Sequence, residues 1–314
     1  MRSTTIATLA VSCLAAAIAT SALAGSVRPP APGEDLVPTG KGWGERPAPG
    51  TDNASATGQL RAARPKNTSN GINYHGGPLL TSGPNVYYIW YGNWSGNTAT
   101  GILTNLAGSI GGSAYFNINT TYYNGSSVPV KNAVTYSGST TDSYSQGTAL
   151  SDAQVQAVVS TAISSSALPK DPNAVYFVLT SSDVNETSGF CTQYCGWHAH
   201  ATIAGTDIKY SFVGNPDRCP SACEAQTTGP NGNAGADGMA SIIAHELEEA
   251  TTDPDLNAWY DTRGNENADK CAWTFGTEHT ASNGSKFNVA LGGANYLIQQ
   301  NWVNASGGYC AMGY

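Results

Sequence analysis

Asn85-Val86-Tyr87-Tyr88-Ile89-Trp90-Tyr91 is an unbroken aromatic and β-branched run, with Gly83-Pro84 before it and Gly92 after it. Such a run between turn formers reads as a buried strand. Asn173-Ala-Val-Tyr-Phe-Val-Leu-Thr180 repeats the pattern. Between them, Ile102, Leu103, Leu106 and Ile110 give Thr98 to Ile110 a helical period, and Val128 to Tyr136 alternates as a strand. Ser151-Asp152 opens a second helix, with Val155, Val158, Val159 and Ile163 on its apolar face. Strand, helix, strand, helix, strand predicts a single α/β layered domain, a mixed sheet with flanking helices. Two more strands are expected at His198 to Ile203 and Lys209 to Val213, joined by Gly205-Thr206-Asp207, and another at Tyr296 to Val303.

The domain does not start at residue 1. A charged Met1-Arg2-Ser3, an apolar Ile6 to Ile18 and a closing Ser21-Ala22-Leu23-Ala24 form a secretory signal peptide over residues 1–24. Residues 25–70 hold Pro29-Pro30, Pro32-Gly33, Pro47 and Pro49-Gly50 with almost no apolar period. They are expected to be a disordered leader, tether or pro-segment, with Arg61, Arg64 and Lys66 offered to processing proteases. The folded domain is placed at 71–314. No later apolar run approaches the ~20 residues of a membrane helix, so the product is expected to be secreted, with no membrane span.

Cysteine and charge agree with export. Cys13 leaves with the signal, and Cys191, Cys195, Cys219, Cys223, Cys271 and Cys310 remain. An even number in an exported chain predicts three disulfides. Local pairing is expected: Cys191 with Cys195, Cys219 with Cys223, Cys271 with Cys310. Loss of Arg2 leaves 13 basic against 22 acidic residues, a net charge of −9, which opposes binding to nucleic acid. The aromatic run Tyr87 to Trp94 could stack on sugar rings, but its strand pattern favours core packing.

Charge is sparse, 11% of the chain, and concentrated. Nine of the 22 acidic residues fall between Asp237 and Asp269, beside His245, one of five histidines. Met239 to Thr251 reads as a helix, with Asp237 as N-cap and Pro254 as its stop. Residues four apart share a helix face, so His245 and Glu249 point the same way and Glu246 stands one residue round. This is the H-E-x-x-H zinc arrangement with Glu in place of the second His. His245 and Glu249 are the expected metal ligands and Glu246 the catalytic general base toward a metal-bound water. Asp253 or Glu266 completes the site, with Asp269, His198 and His200 as further candidates. Zinc is the expected ion; a carboxylate and carbonyl shell would take calcium instead.

Several ordered motifs carry a family resemblance. Tyr74-His75-Gly76-Gly77-Pro78-Leu79-Leu80 with Ile89-Trp90-Tyr91-Gly92, Gly189-Phe190-Cys191 with Cys195-Gly196 and His198, Val213-Gly214-Asn215, Cys219-Pro220 with Cys223, and Asp237-Gly238-Met239 resemble the Exordium-like, phosphate-induced protein family over residues 74 to 314. The resemblance implies a secreted, cell-wall-associated protein and carries no enzymatic activity with it. Plant members continue from Asp-Gly-Met with an apolar stretch. Here His245-Glu246-Leu247-Glu248-Glu249 stands in its place and is similar to the helix of zincin-type peptidases.

Two functions follow as expectations. One is a zinc-dependent hydrolase acting on an extracellular peptide or cell-wall polymer. The other is a non-enzymatic wall-associated protein with a structural metal or calcium site.

Overall fold

The computed structural model describes Met1, residues 36–41 and residues 71–314. The signal-peptide reading of residues 2–24, and most of the leader, lie outside the described residues.

The two apolar runs form the middle of a five-stranded sheet. Its strands are β1 (Asn85–Tyr91), β2 (Thr135–Asp142), β3 (Ala174–Thr180), β4 (Gly196–Ile203) and β5 (Thr206–Gly214), in the order β2-β1-β3-β5-β4. The first four in that order run parallel, and β4 pairs antiparallel with β5. Parallel strands need long crossovers, and helices α1 (Ala99–Ser109) and α2 (Asp152–Ser164) supply two of them. Residues of β3 are buried without exception, as expected of a strand covered on both faces. Tyr87, Tyr88, Trp90, Tyr91 and Trp94 are all buried, so the aromatic run is core and presents no sugar-stacking platform.

β2 departs from the expected position. Val128 to Tyr136 contains Pro129, which cannot donate to a ladder, and its first part makes only an isolated bridge, Tyr123 with Pro129, and scattered backbone bonds such as the Val130 N–H to Tyr122 O at 3.0 Å. The paired strand is the polar Thr135–Asp142, whose alternating half-exposed pattern suits a sheet edge. The hairpin after β4 turns through Ala204 and Gly205, both at positive φ, as a two-residue turn between twisted strands requires. Tyr296 to Val303 is divided between two separate ribbons, Ala294–Tyr296 and Asn301–Val303.

Helix α3 (Ala234–Thr252) lies against β4, β5 and α1, and every residue from Met239 to Thr252 is buried. Its cap is Asn233, whose side chain accepts the Ala236 N–H at 3.0 Å, not Asp237. Asp237 sits one turn in and accepts from the Asn231 side chain at 2.6 Å and its N–H at 3.0 Å, so it braces the preceding turn. Ile242, Ile243 and Leu247 are each about 1% exposed, a burial that contributes roughly 1.5–3 kcal/mol per side chain.

The expected local disulfide pairing holds only for Cys271–Cys310. The other bridges are Cys191–Cys219 and Cys195–Cys223, lacing two segments side by side. Cys219 and Cys223 bracket a single helical turn, Pro220–Cys223. Side chains four apart on a helix run parallel with Cβ atoms about 5–6 Å apart, wider than the 3.5–4.5 Å a disulfide spans. Each sulfur therefore finds its partner on the facing segment, at Cα separations of 5.8 and 5.6 Å.

Among the described residues, no helix is long and apolar enough to cross a membrane.

Candidate metal centre

Three elements bring their polar side chains to one buried point. Helix α3 supplies His245, Glu246 and Glu249 from its last two turns. The loop after it supplies Glu266 and Asp269, and β4 supplies His198. Gly196 sets the depth of β4: a Cβ there would lie 2.5 Å from Ile242 Cγ2 and 2.8 Å from the Phe212 carbonyl. Its absence lets the strand close on α3 and puts His198 beneath the helix.

His245 Nε2 lies 3.0 Å from Glu249 Oε1 and 3.7 Å from Asp269 Oδ1. His198 Nδ1 lies 3.4 Å from Glu246 Oε2 and 3.5 Å from Glu249 Oε2, while its Nε2 lies 3.6 Å from Glu266 Oε1. The side chains of His198, His245 and Glu246 are 0% exposed, those of Glu249, Glu266 and Asp269 at most 3%. Two triads thus have ligand atoms within 4.8 Å of one another: His198, Glu246 and Glu249, and His245, Glu249 and Asp269.

The helix pairing expected of His245 and Glu249 is present, and Glu266 joins the cluster through His198. Asp253, at the end of the helix, uses one oxygen on the backbone, while its Oδ2 is buried and makes no hydrogen bond among the described residues. Its Oδ1 accepts the N–H groups of Asn257 and Ala258, both at 2.6 Å, and turns the chain at the helix end. Of the two candidate histidines on β4, only His198 reaches the cluster. His200, two residues on, belongs to a surface group in which Asp207 meets His200 at 3.0 Å and Lys209 at 2.7 Å. Lys270 pairs with Asp261 at 3.2 Å, and its ammonium lies over the Trp302 ring.

Burial sorts the carboxylates. It pushes the Glu249 carboxyl up, but the facing His245 and His198 outweigh it and hold the group well below the usual range. Burial and the Glu249 charge push Asp269 up. Burial also raises Asp253, to about 6, against its two backbone donors. Glu248 is different. It accepts from the Asn301 amide and is raised well above its ordinary value by burial. It is part of the packing against the C-terminal ribbon rather than of the cluster. The loop carrying Asp269 is tied to the helix by its N–H to Glu249 Oε1, at 3.0 Å.

Residues 36–41 run from the loop at Thr262 to the edge of β4. The Leu36 N–H donates to Thr262 O at 3.2 Å, the His198 N–H donates to Gly40 O at 3.1 Å, and Lys41 pairs with Asp152 at 2.6 Å. Part of the leader is thereby laid against the domain, on the outer edge of β4. A surface groove of about 600 Å³ is lined by Glu186, Phe190, Arg218 and the Cys191–Cys219 bridge, and none of its lining residues belongs to the cluster.

Fold and side chains define a disulfide-laced α/β domain with a buried histidine–carboxylate cluster on its central helix. Comparison with known proteins places it. The chain belongs to the phosphate-induced protein family: the phosphate-induced protein 1 conserved region matches residues 72–304. Protein EXORDIUM-like 5 of Arabidopsis thaliana is 31% identical over 273 residues, 74% of this chain and 75% of the relative. Protein EXORDIUM-like 3 of the same plant is 31% identical over 278 residues, 76% of this chain and 82% of the relative. Protein PHOSPHATE-INDUCED 1 of Nicotiana tabacum is 27% identical over 218 residues, 60% of this chain and 67% of the relative. No solved structure matches this chain.

Proposed function

We propose that this is an exported protein whose central helix is anchored by a divalent metal, zinc, at the His198–His245–Glu249 cluster. One observation carries the reading: two histidines and four carboxylates from a helix, a strand and a loop converge with their side chains at most 3% exposed. Imidazole with carboxylate is a zinc donor set. Ionised groups at this depth are costly unless paired or coordinated. A shell closed on all sides is the form of a structural site, since catalytic zinc keeps an open position. The metal then contributes folding energy by joining three elements that are far apart in sequence. Export is supported by the signal-like first 24 residues and by the three disulfides. The test is the metal content of the purified full chain, with Glu249→Ala beside wild type. Bound zinc lost in the variant supports the reading, and a metal-free, fully folded wild type overturns it.

A second reading has its own observation. His245-Glu246 and Glu249 keep the spacing of a hydrolytic zinc helix, and residues 36–41 help to close the site through the His198 N–H. With that segment displaced, Glu246 would be the general base in hydrolysis of an extracellular peptide or wall-associated bond. Hydrolysis of a casein substrate after limited removal of the leader, abolished in Glu246→Gln, is the outcome this reading requires. Equal rates in the two proteins remove it.

A further inference from the structure

We propose that the cluster is a two-cation centre in which Glu249 is the bridging carboxylate. The inference rests on the metal reading above and specifies its stoichiometry.

The two oxygens of Glu249 face different histidines. Oε1 lies 3.0 Å from His245 Nε2, and Oε2 lies 3.5 Å from His198 Nδ1. Each histidine has a second carboxylate of its own, Asp269 for His245 at 3.7 Å and Glu246 for His198 at 3.4 Å. An ion held at about 2.0–2.2 Å from nitrogen and oxygen ligands places them roughly 3–3.7 Å apart, the separations found in both triads. The two histidines fall in separate triads whose shared residue is Glu249. One ion on Oε1 serves His245 and Asp269 and leaves the His198 side uncoordinated. A second ion on Oε2 uses it.

His198 is the independent observation. Its side chain is 0% exposed, and neither ring nitrogen makes a hydrogen bond among the described residues. A neutral imidazole always carries one N–H donor and one acceptor nitrogen, and burying both unbonded costs on the order of 1–3 kcal/mol for each group. Metal at Nδ1 settles the tautomer. The proton then sits on Nε2, directed at Glu266 Oε1 3.6 Å away. Glu266 becomes the carboxylate that orients a metal-bound histidine, a positioning residue rather than a ligand. Glu249 Oε2 and Asp269 Oδ1, the atoms assigned to the two ions, likewise make no hydrogen bond among the described residues. One imidazole and two carboxylates per ion suit divalent first-row metals. A carboxylate-bridged pair of this kind sits about 3.5–4 Å apart.

The experiment counts ions. The full chain is stripped with a chelator, reloaded with zinc, desalted and analysed for zinc per chain by mass spectrometry. Two equivalents are expected in wild type and in Glu248→Gln, whose side chain is bonded to Asn301 and belongs to neither triad. His198→Ala and Glu246→Gln should each retain one, as should His245→Ala and Asp269→Asn. The isosteric pair guards against loss of fold, which circular dichroism checks. One equivalent in wild type overturns the two-cation centre and leaves the metal reading standing; none overturns both. Manganese loading tests the bridge: an exchange-coupled paramagnetic resonance signal is expected, and two isolated manganese signals overturn it.

Discussion

The main-chain N–H of His198 donates to the carbonyl of Gly40 at 3.1 Å, so a residue from the proline-rich leader is hydrogen-bonded to the strand that enters the buried histidine–carboxylate cluster. β4 is the outer strand of the sheet, and an edge strand presents unpaired N–H and C=O groups to any extended chain. Gly40 fits because it has no side chain. Its φ is +69°, and a Cβ there would lie 1.9 Å from the His198 carbonyl oxygen. Gly40→Ala should therefore unseat residues 36–41. Hydrogen exchange at the His198 amide should accelerate by at least tenfold, with the amides of β3 unchanged. An unchanged His198 amide would show that the segment does not protect it in solution.

On the proposed metal reading, removal of the ion should soften the whole domain, because the candidate ligands come from β4, α3 and the 261–269 loop. At free zinc 100-fold above its dissociation constant, binding to the native state contributes about 2.7 kcal/mol. For a domain of this size that is a fall of about 5–10 °C in Tm on chelation. Calorimetry with and without a chelator measures it, and restoration by zinc distinguishes metal loss from damage.

The disulfide lacing is directly testable. Peptide mapping without reduction should recover Cys191 joined to Cys219 and Cys195 to Cys223. Removing Cys271–Cys310, which closes a 39-residue separation, should cost about 4 kcal/mol by the loop-entropy relation. Because that bridge anchors the end of the Asp269 loop, the Cys271→Ala/Cys310→Ala variant should also bind zinc more weakly. Chemical denaturation and zinc titration check the two effects separately.

Glu224 offers a pH test away from the cluster. Burial, then the charge of Asp217, pushes its carboxyl up to about 7. The unfolded chain ionises this residue near its ordinary value of 4.5, so folding holds a proton that the unfolded state releases. Its contribution is therefore destabilising, absent below pH 4.5, growing between pH 4.5 and 7, and constant above. Glu224→Gln should gain stability relative to wild type at pH 8 and show no gain at pH 4. A gain of equal size at both pH values would remove the carboxyl as its cause.

Much of the fold was legible locally. The runs 85–91 and 173–180 announce buried strands because both of their faces must be apolar, and α1 and α2 carry their own periods and start signals. The helix of His245 was visible from residue type and spacing. Its cap was not, because Asn233 and Asp237 are both good caps and the choice depends on which one the Asn231 turn engages. The paired strand β2 escaped because an edge strand has little apolar pattern to show. On β4, alternation made His198 and His200 equivalent. Nothing in their sequence says that the helix covers one and leaves the other at the surface.

The sequence by itself determined an α/β chain with a signal-like N-terminus, seven cysteines and a histidine–glutamate helix, since composition and short-range periodicity encode those directly. Only the tertiary structure decided that His198 stands under Glu249, that Cys191 meets Cys219, and that Gly40 closes the edge of β4. Each of these joins residues 28 to 158 positions apart in sequence, as the residue numbers give directly. Such contacts depend on how closely packed elements approach one another, here through the missing side chains of Gly196 and Gly40, and no local pattern carries that distance.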